Sequence, residues 1–517
     1  EKVVLGVTNW GSRDYYKLPA GNILEVLGKA GNPDVEILSV IRQYNLPLEF
    51  PQNVLSELDA ISDEIQDNVI SKRKDLRDLL TFTIDPASAK DFDDAISLVK
   101  DEKGLTLYVH IADVAQYIGI KSKLFEEAAK RGNSYYFPKR VIPMLPEKIS
   151  NKICSLRPFE DKLTLTVQTR YNNNFKIISQ RVYESIICSN ARFNYEEIDE
   201  FFEEKKEFEA EIAEALKIMR KLSANLTQNR VKCGYLRLNI PETIFIFDDE
   251  GHVVDLDRSK ETASHKIIEN FMLVANEFIA KELSDGKTIY RIHEKPDEKR
   301  LLNLKEEISS YNIKMEMNKN LNTVLQDLLD KLPDENYHRV FDRKVLRSMK
   351  KAKYTVENLG HFGLAMRNYT HFTSPIRRIS DLIIHHQIKN KLNSKQTPFS
   401  ASHLFKLAKI ATEREMIADE SEREVDLKNK TIFIKKKVGE EFEAIIIAVR
   451  NNALIVELNK YPITGIVSIS SLEDDRYEFF PQHSRFIGKR KGKIYKLTDP
   501  LNVLLDKVDD EIHFKVL

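Results

Sequence analysis

At 517 residues, with 42% hydrophobic and 31% charged side chains, the chain has the length and balance of a globular protein of two to four domains. A formal net charge of +0 excludes a global field for a polyanion, so any such site must be local. No apolar run approaches the roughly 18 residues of a membrane-crossing helix, and the opening lacks a basic-then-apolar signal pattern, so no membrane partner is expected.

Residues 1–57 carry short β-type runs ("VVLGVTNWG", "GNILEVLGKAGNPDVEIL") broken by Gly and Asn, which predict part of a small β domain. Without an initiator Met, this start reads as the middle of a longer protein or a processed chain. From 58 to 435 strands alternate with long helices. "LTLYVHIADV" (105–114) and "LTLTVQTRY" (163–171) alternate as half-buried strands do. Ile267, Ile268, Phe271, Met272, Ala275, Phe278 and Ile279 fall on one stripe, predicting a helix over 263–283, and a second charged helix is expected over 400–425 behind a Ser cap. Residues 436–517 return to about five short strands punctuated by Gly and Asn, the pattern of a small closed β-barrel of the oligonucleotide-binding (OB) kind. The expected class is α+β, a mixed core flanked by small β-barrels. Cys154, Cys188 and Cys233 are far apart with no metal-type spacing, which favours a reducing compartment. Basic clusters at 343–353 and 485–496 are ordinary solvated faces on composition alone.

The segment "TIDPASAKDFDDAISL" (83–98) places Asp85, Asp91, Asp93 and Asp94 within ten positions between apolar runs. Asp85 is expected at a strand end, because Pro86 holds it extended and offers no amide to a ladder. If 91–94 is extended, Asp91 and Asp93 share a face while Phe92 turns into the core and Asp94 points the other way. Carboxylates this close raise one another's pKa unless a cation compensates, and Mg²⁺ takes such oxygens while keeping room for water or phosphate. That chemistry suits metal-assisted phosphodiester hydrolysis; the alternatives are an acidic turn or a Ca²⁺ loop, the latter lacking its Gly and terminal Glu. In "YTHFTSPIRRISDL" Ser374 and Pro375 predict a helix cap, placing Arg377 and Arg378 in a first turn. Two guanidinium groups there suit an anion in front of them, unless Asp381 pairs with one, more naturally Arg378.

Both segments resemble the ribonuclease II superfamily (the RNB family), and more closely its ribonuclease R branch. "VHIADVAQYI", "YYFPKRVIPMLPEKISNKICSL", "SMKKAKYTVENLGHFGLA" and "YTHFTSPIRR" match further family blocks in order, over nearly the whole chain. The resemblance implies a processive, Mg²⁺-dependent 3′-to-5′ exoribonuclease that releases nucleoside 5′-monophosphates from single-stranded RNA, and from structured RNA carrying a 3′ overhang. It implies an RNB-type catalytic core over 58–435, the truncated end of a cold-shock-type barrel over 1–57 and an RNA-binding barrel over 436–517. By position it assigns Asp85, Asp91, Asp93 and Asp94 to the metal, with Asp93 the most critical. It gives Arg377 the scissile phosphate, with Arg378 beside it on the RNA, Tyr136 the 3′-terminal base, and Glu422 the terminal ribose. On residues alone Tyr136 could be a core aromatic and Glu422 a charge on a solvated helix face. Two departures stand out: Leu238 occupies the region of a usual aromatic clamp, and "IRRIS" replaces "IRRYP". A cytoplasmic monomer acting on RNA 3′ ends, and not on DNA, is the expectation. The competing class is a binding protein in which barrels hold RNA on an inactive core; survival of all four aspartates and Arg377 speaks against it.

Overall fold

A computed structural model describes residues 1–11, 18–316 and 320–517. Its centre is a seven-stranded sheet in the spatial order Ala191–Asn194, Thr81–Asp85, Asp94–Asp101, Gly104–Ala112, Asp161–Tyr171, Ile177–Cys188 and Lys74–Asp75. The predicted strands at 105–114 and 163–171 are its antiparallel neighbours, pairing Leu107 with Thr169 and Val109 with Val167. Strict alternation explains the burial. Phe82, Ile84, Ile96, Val109, Ile111 and Val167 pack on one face with residues of the helices Ala210–Cys233 and Ala263–Glu282. The opposite face carries hydroxyls joined side to side, Thr81 to Ser97 (2.6 Å), Ser97 to His110 (2.9 Å) and His110 to Thr166 (2.8 Å). Buried polar atoms cost little when each finds a partner, so this face can also be covered.

The helix at 263–282 matches its sequence stripe. The other predicted helix runs further than expected, over Ala401–Lys435, because Val425, Phe433 and Ile434 continue its buried side beyond the charged middle. Residues 1–57 hold fewer strands than expected. Lys2–Asn9 pairs with Ala20–Gly28, but "NPDVEIL" begins a helix, Pro33–Gln43, with the Asn32 side chain accepting from Asp34 N–H and Pro33 in the first turn. That cap signature outweighs the β-branched residues that follow it. Ile37, Val40 and Ile41 of this helix then pack beside Ala418 and Val425 of the long helix.

The predicted terminal barrel is present and closed, in the order Glu441–Arg450, Ala453–Leu458, Thr464–Ser468, Ile512–Val516 and Pro500–Val508. Glu457 binds it to the rest of the molecule. This carboxylate, 2% exposed, accepts from Arg339 (2.8 Å), Arg258 (3.3 Å) and Arg343. The 343–353 basic cluster is largely consumed in such pairs: Lys344 meets Glu307 at 2.7 Å and Lys350 meets Glu294 at 3.1 Å. Among the described residues no helix is long and apolar enough to cross a membrane.

Candidate active site

Asp85 ends its strand as expected, and Asp94 starts the neighbouring antiparallel one. The eight residues between them form a loop over the sheet end that is tied down at several points. Arg192 donates to the carbonyls of Pro86 (2.8 Å) and Ala87 (2.9 Å). Ser155 Oγ donates to Lys90 O (2.8 Å) and accepts from Phe92 N–H (3.0 Å), which draws the Phe92 ring inward. Residues 91–93 are not a strand, so facing is set by these ties rather than by a two-residue period.

All four aspartates line one cavity of about 460 Å³, together with Tyr136 and Arg377. Asp93, 3% exposed, accepts from Ile376 N–H through Oδ1 (2.8 Å) and from Arg377 Nε through Oδ2 (3.2 Å). Arg377 Nη2 also donates to Ser374 Oγ (3.1 Å). Two of its five N–H donors are thereby engaged, leaving three on a side chain that is 45% exposed. Tyr136 lies on the short strand Tyr135–Phe137; its hydroxyl donates to Asp91 Oδ2 and its amide to Glu422 Oε1, both at 2.8 Å. Glu422 is therefore half-buried against this ribbon and not on a solvated face, and burial with neighbouring acids pushes its pKa up to about 7 despite the Tyr136 amide.

The helix cap predicted at Ser374 is not formed. The helix begins at Ile379, and Arg378 precedes it in extended conformation. The cause is a competing set of bonds. Ser134 N–H donates to Arg377 O and Ile379 N–H to Gly132 O, stretching the backbone through 378. Asp381, fully buried, accepts from Ser374 N–H (2.8 Å) and takes Arg378 in a two-point contact, Nε to Oδ2 at 3.0 Å and Nη2 to Oδ1 at 2.8 Å. Arg377 thus leaves toward the acidic cluster while Arg378 is turned back onto Asp381, although both line the cavity.

The carboxylates are electrostatically strained as a set. Burial, and then Asp94, drives Asp85 upward; burial also raises Asp94, and it raises Asp93 well above the ordinary value against the pull of Arg377. Asp85 Oδ2 is buried with no hydrogen-bond partner among the described residues. An acceptor left dry beside repelling acids is what a cation would satisfy. The set fits Mg²⁺ on this ground, although no three His, Cys, Asp or Glu side chains among the described residues converge into a ready-made cage. Mg²⁺ retains water or phosphate oxygens in several positions, so a partial protein ligand set is the usual one.

Other parts of the wall carried no readable signal. Tyr195 stacks on His265 with ring centres 3.9 Å apart. Next to it stand Glu269 and Met272 of the helix at 263–282, whose stripe pattern marks burial and says nothing of a cavity. His371 is held through Nδ1 by the Tyr354 hydroxyl at 2.7 Å, and burial keeps its pKa well below the ordinary value, so it is neutral there. Leu238 does not line this cavity; it packs half-buried on the core shared with the terminal barrel.

Comparison with known proteins agrees with this layout. Residues 73–394 match the RNB domain, 1–51 a cold shock domain and 435–517 an S1 RNA binding domain. Ribonuclease R of Aquifex aeolicus is 38% identical over 99% of this chain and 74% of its own length, and ribonuclease R of Thermotoga maritima has the same values. Among solved structures, Mycoplasma genitalium RNase R in complex with ribose methylated single-stranded RNA superposes with a TM-score of 0.91 at 28% identity, covering 100% of this chain and 82% of that one. The same enzyme with double-stranded RNA gives 0.87 at 26% identity, over 100% and 88%. With sequence and architecture agreeing from end to end, the chain belongs to the RNB family, on its ribonuclease R branch.

Proposed function

We propose that the chain degrades single-stranded RNA processively from the 3′ end by Mg²⁺-assisted hydrolysis, releasing nucleoside 5′-monophosphates. Exoribonuclease activity is that of its family. The observation that carries the site assignment is the contact between Asp93 and Arg377, 284 positions apart in the chain, inside a cavity walled by four aspartates.

Asp85, Asp91, Asp93 and Asp94 hold the metal. Bound Mg²⁺ supplies the Lewis acidity that eases water attack and departure of the 3′-oxygen. The chain's own groups do the rest. Water adds to the last phosphorus as the bond to the upstream 3′-oxygen breaks, and that oxygen takes the proton. Arg377 turns its three uncommitted N–H groups to the non-bridging oxygens, where charge grows toward the transition state. Asp93 and Ser374 fix the guanidinium beforehand, so no reorganisation is required during reaction. The Tyr136 ring, set by Asp91 and Glu422, stacks on the terminal base, and Glu422 lies within reach of the terminal nucleotide. Arg378 braces this arrangement through Asp381.

The division at 1–57, 58–435 and 436–517 assigns RNA capture to the flanking β modules and chemistry to the middle. RNA and not DNA is the substrate, and the protein works as a monomer in the cytoplasm; for the compartment alone, the support is its three free cysteines. The test is 5′-labelled poly(A) with and without Mg²⁺. Loss of full-length RNA directly to very short labelled end products, abolished in EDTA while binding persists, is the expected result. A mobility shift with no cleavage in either condition would establish a binding protein, and cutting of circular RNA an endonuclease.

A further inference from the structure

The Tyr136 ribbon separates two cavities. On one side lies the acidic site; on the other is a second cavity of about 690 Å³, within the roughly 300–1,000 Å³ typical of small-ligand sites. Pro86, Ala89, Asp91 and Tyr136 belong to both walls, so the Tyr136–Asp91 hydrogen bond closes the boundary between them. The two sides differ in sign. The second cavity is lined by Lys90, Lys139 and Arg140 against one further carboxylate, Glu147. Ion pairs cover much of this protein's surface, yet among the described residues none involves Lys90, Lys139 or Arg140. Lys139 Nζ reaches only the Asp248 carbonyl (3.4 Å) and the Phe247 ring (4.7 Å).

We propose that this basic cavity receives the released nucleoside 5′-monophosphate, so that product leaves through the Tyr136 boundary while the shortened RNA stays in place. The inference rests on the proposed processive reading. An enzyme that keeps its RNA between cuts has its mouth filled by that RNA, and the cleaved nucleotide needs another way out. Hydrolysis itself supplies the direction. A phosphodiester carries one negative charge, whereas the monoester product carries about −1.5 to −2 at neutral pH. The added charge strengthens its attraction to Lys90, Lys139 and Arg140 across the ribbon. Tyr136 is suited to the boundary: it is 38% exposed on a strand of three residues, next to a turn in which Lys139 adopts a positive φ of 60°. Its hydroxyl bond to Asp91 is a single contact that can break and reform each cycle.

The test uses the full chain with Lys139→Gln and Arg140→Gln combined, two exposed positions away from the reacting groups. Lys90→Gln serves as an independent second variant. AMP is the probe, with adenosine and inorganic phosphate as controls that separate recognition of base, phosphate and both together. Inhibition of poly(A) degradation by AMP should weaken about tenfold in the double variant, the scale of losing charge-assisted contacts to a phosphate. The steady-state rate should fall, while single-turnover release of the first nucleotide stays within about twofold of wild type. Unchanged inhibition by AMP in both variants overturns the proposal. So does an equal loss of single-turnover cleavage, which would place these cations on the RNA before the cut. A wild-type chain that leaves RNA intact would overturn the exonuclease reading itself, an outcome distinct from either.

Discussion

Replacing Asp93 by Asn isolates the contact on which the active-site assignment depends. The Asn oxygen can still accept from Ile376 N–H, but an amide donor now faces the Arg377 Nε, 3.2 Å away in the native site. A hydrogen bond to a charged group contributes about 1.5–3 kcal/mol, so Arg377 loses its fixed position at a cost of roughly 10–200-fold in rate. Loss of one anionic metal ligand adds at least the roughly 10–100-fold seen when a metal site's supporting groups are removed. Together these give a fall in kcat of about 10²–10⁴. RNA affinity should change little, because stacking and the flanking modules are untouched. The assay is time-resolved shortening of 5′-labelled poly(A) at saturating Mg²⁺, paired with filter binding of the same RNA. Turnover within tenfold of wild type, or a matching loss of RNA binding, would refute the reasoning.

Tyr136→Ala should weaken binding of a short oligonucleotide by about 1–3 kcal/mol through lost stacking, whereas Tyr136→Phe, which removes only the bond to Asp91, should bind RNA normally; oligonucleotide titration distinguishes them. Asp113 is fully buried between Arg73 (2.6 Å) and Lys389 (2.5 Å); burial pushes its pKa up, but the two cations prevail and hold it well below the carboxylate range. Its folded pKa being depressed, the stability it contributes is present above the unfolded value near 3.9 and is lost as pH falls through the lower folded value. Asp113→Asn should therefore destabilise by about 3–5 kcal/mol at pH 7 and by less in acid, measured by urea unfolding. Glu457→Ala leaves Arg258, Arg339 and Arg343 facing one another and should cost about 3–5 kcal/mol, with calorimetry showing the terminal barrel separating as an earlier transition.

Much of this was readable in one dimension, because the signals are local. Alternation over 105–114 and 163–171 and the stripe at 267–279 place two strands and a helix, and the structure keeps all three elements, although both faces of the two strands are buried where one was expected to be. The crowding of Asp85, Asp91, Asp93 and Asp94 is local too. The helix at Pro33–Gln43 is local as well: its Asn-Pro cap prevails over the β-branched residues that make the segment read as strand. The non-local part has a different origin. Ser374-Pro375 carries every local mark of a helix start, yet the backbone there is stretched by pairing with 132–134, far away in the chain. The approach of Arg377 to Asp93 and the recruitment of Tyr195, Glu269 and His371 to the cavity wall likewise depend on which surfaces pack together, whereas the pairing of Arg378 with Asp381, three positions on, is local and readable in the sequence. From sequence alone came the carboxylates, the guanidinium and the preference of Asp381 for Arg378; tertiary packing decided that the acids and Arg377 share one cavity and that a basic chamber lies behind Tyr136. Hydrophobic periodicity tells a segment which side to bury, but only closure of the whole core tells it against what.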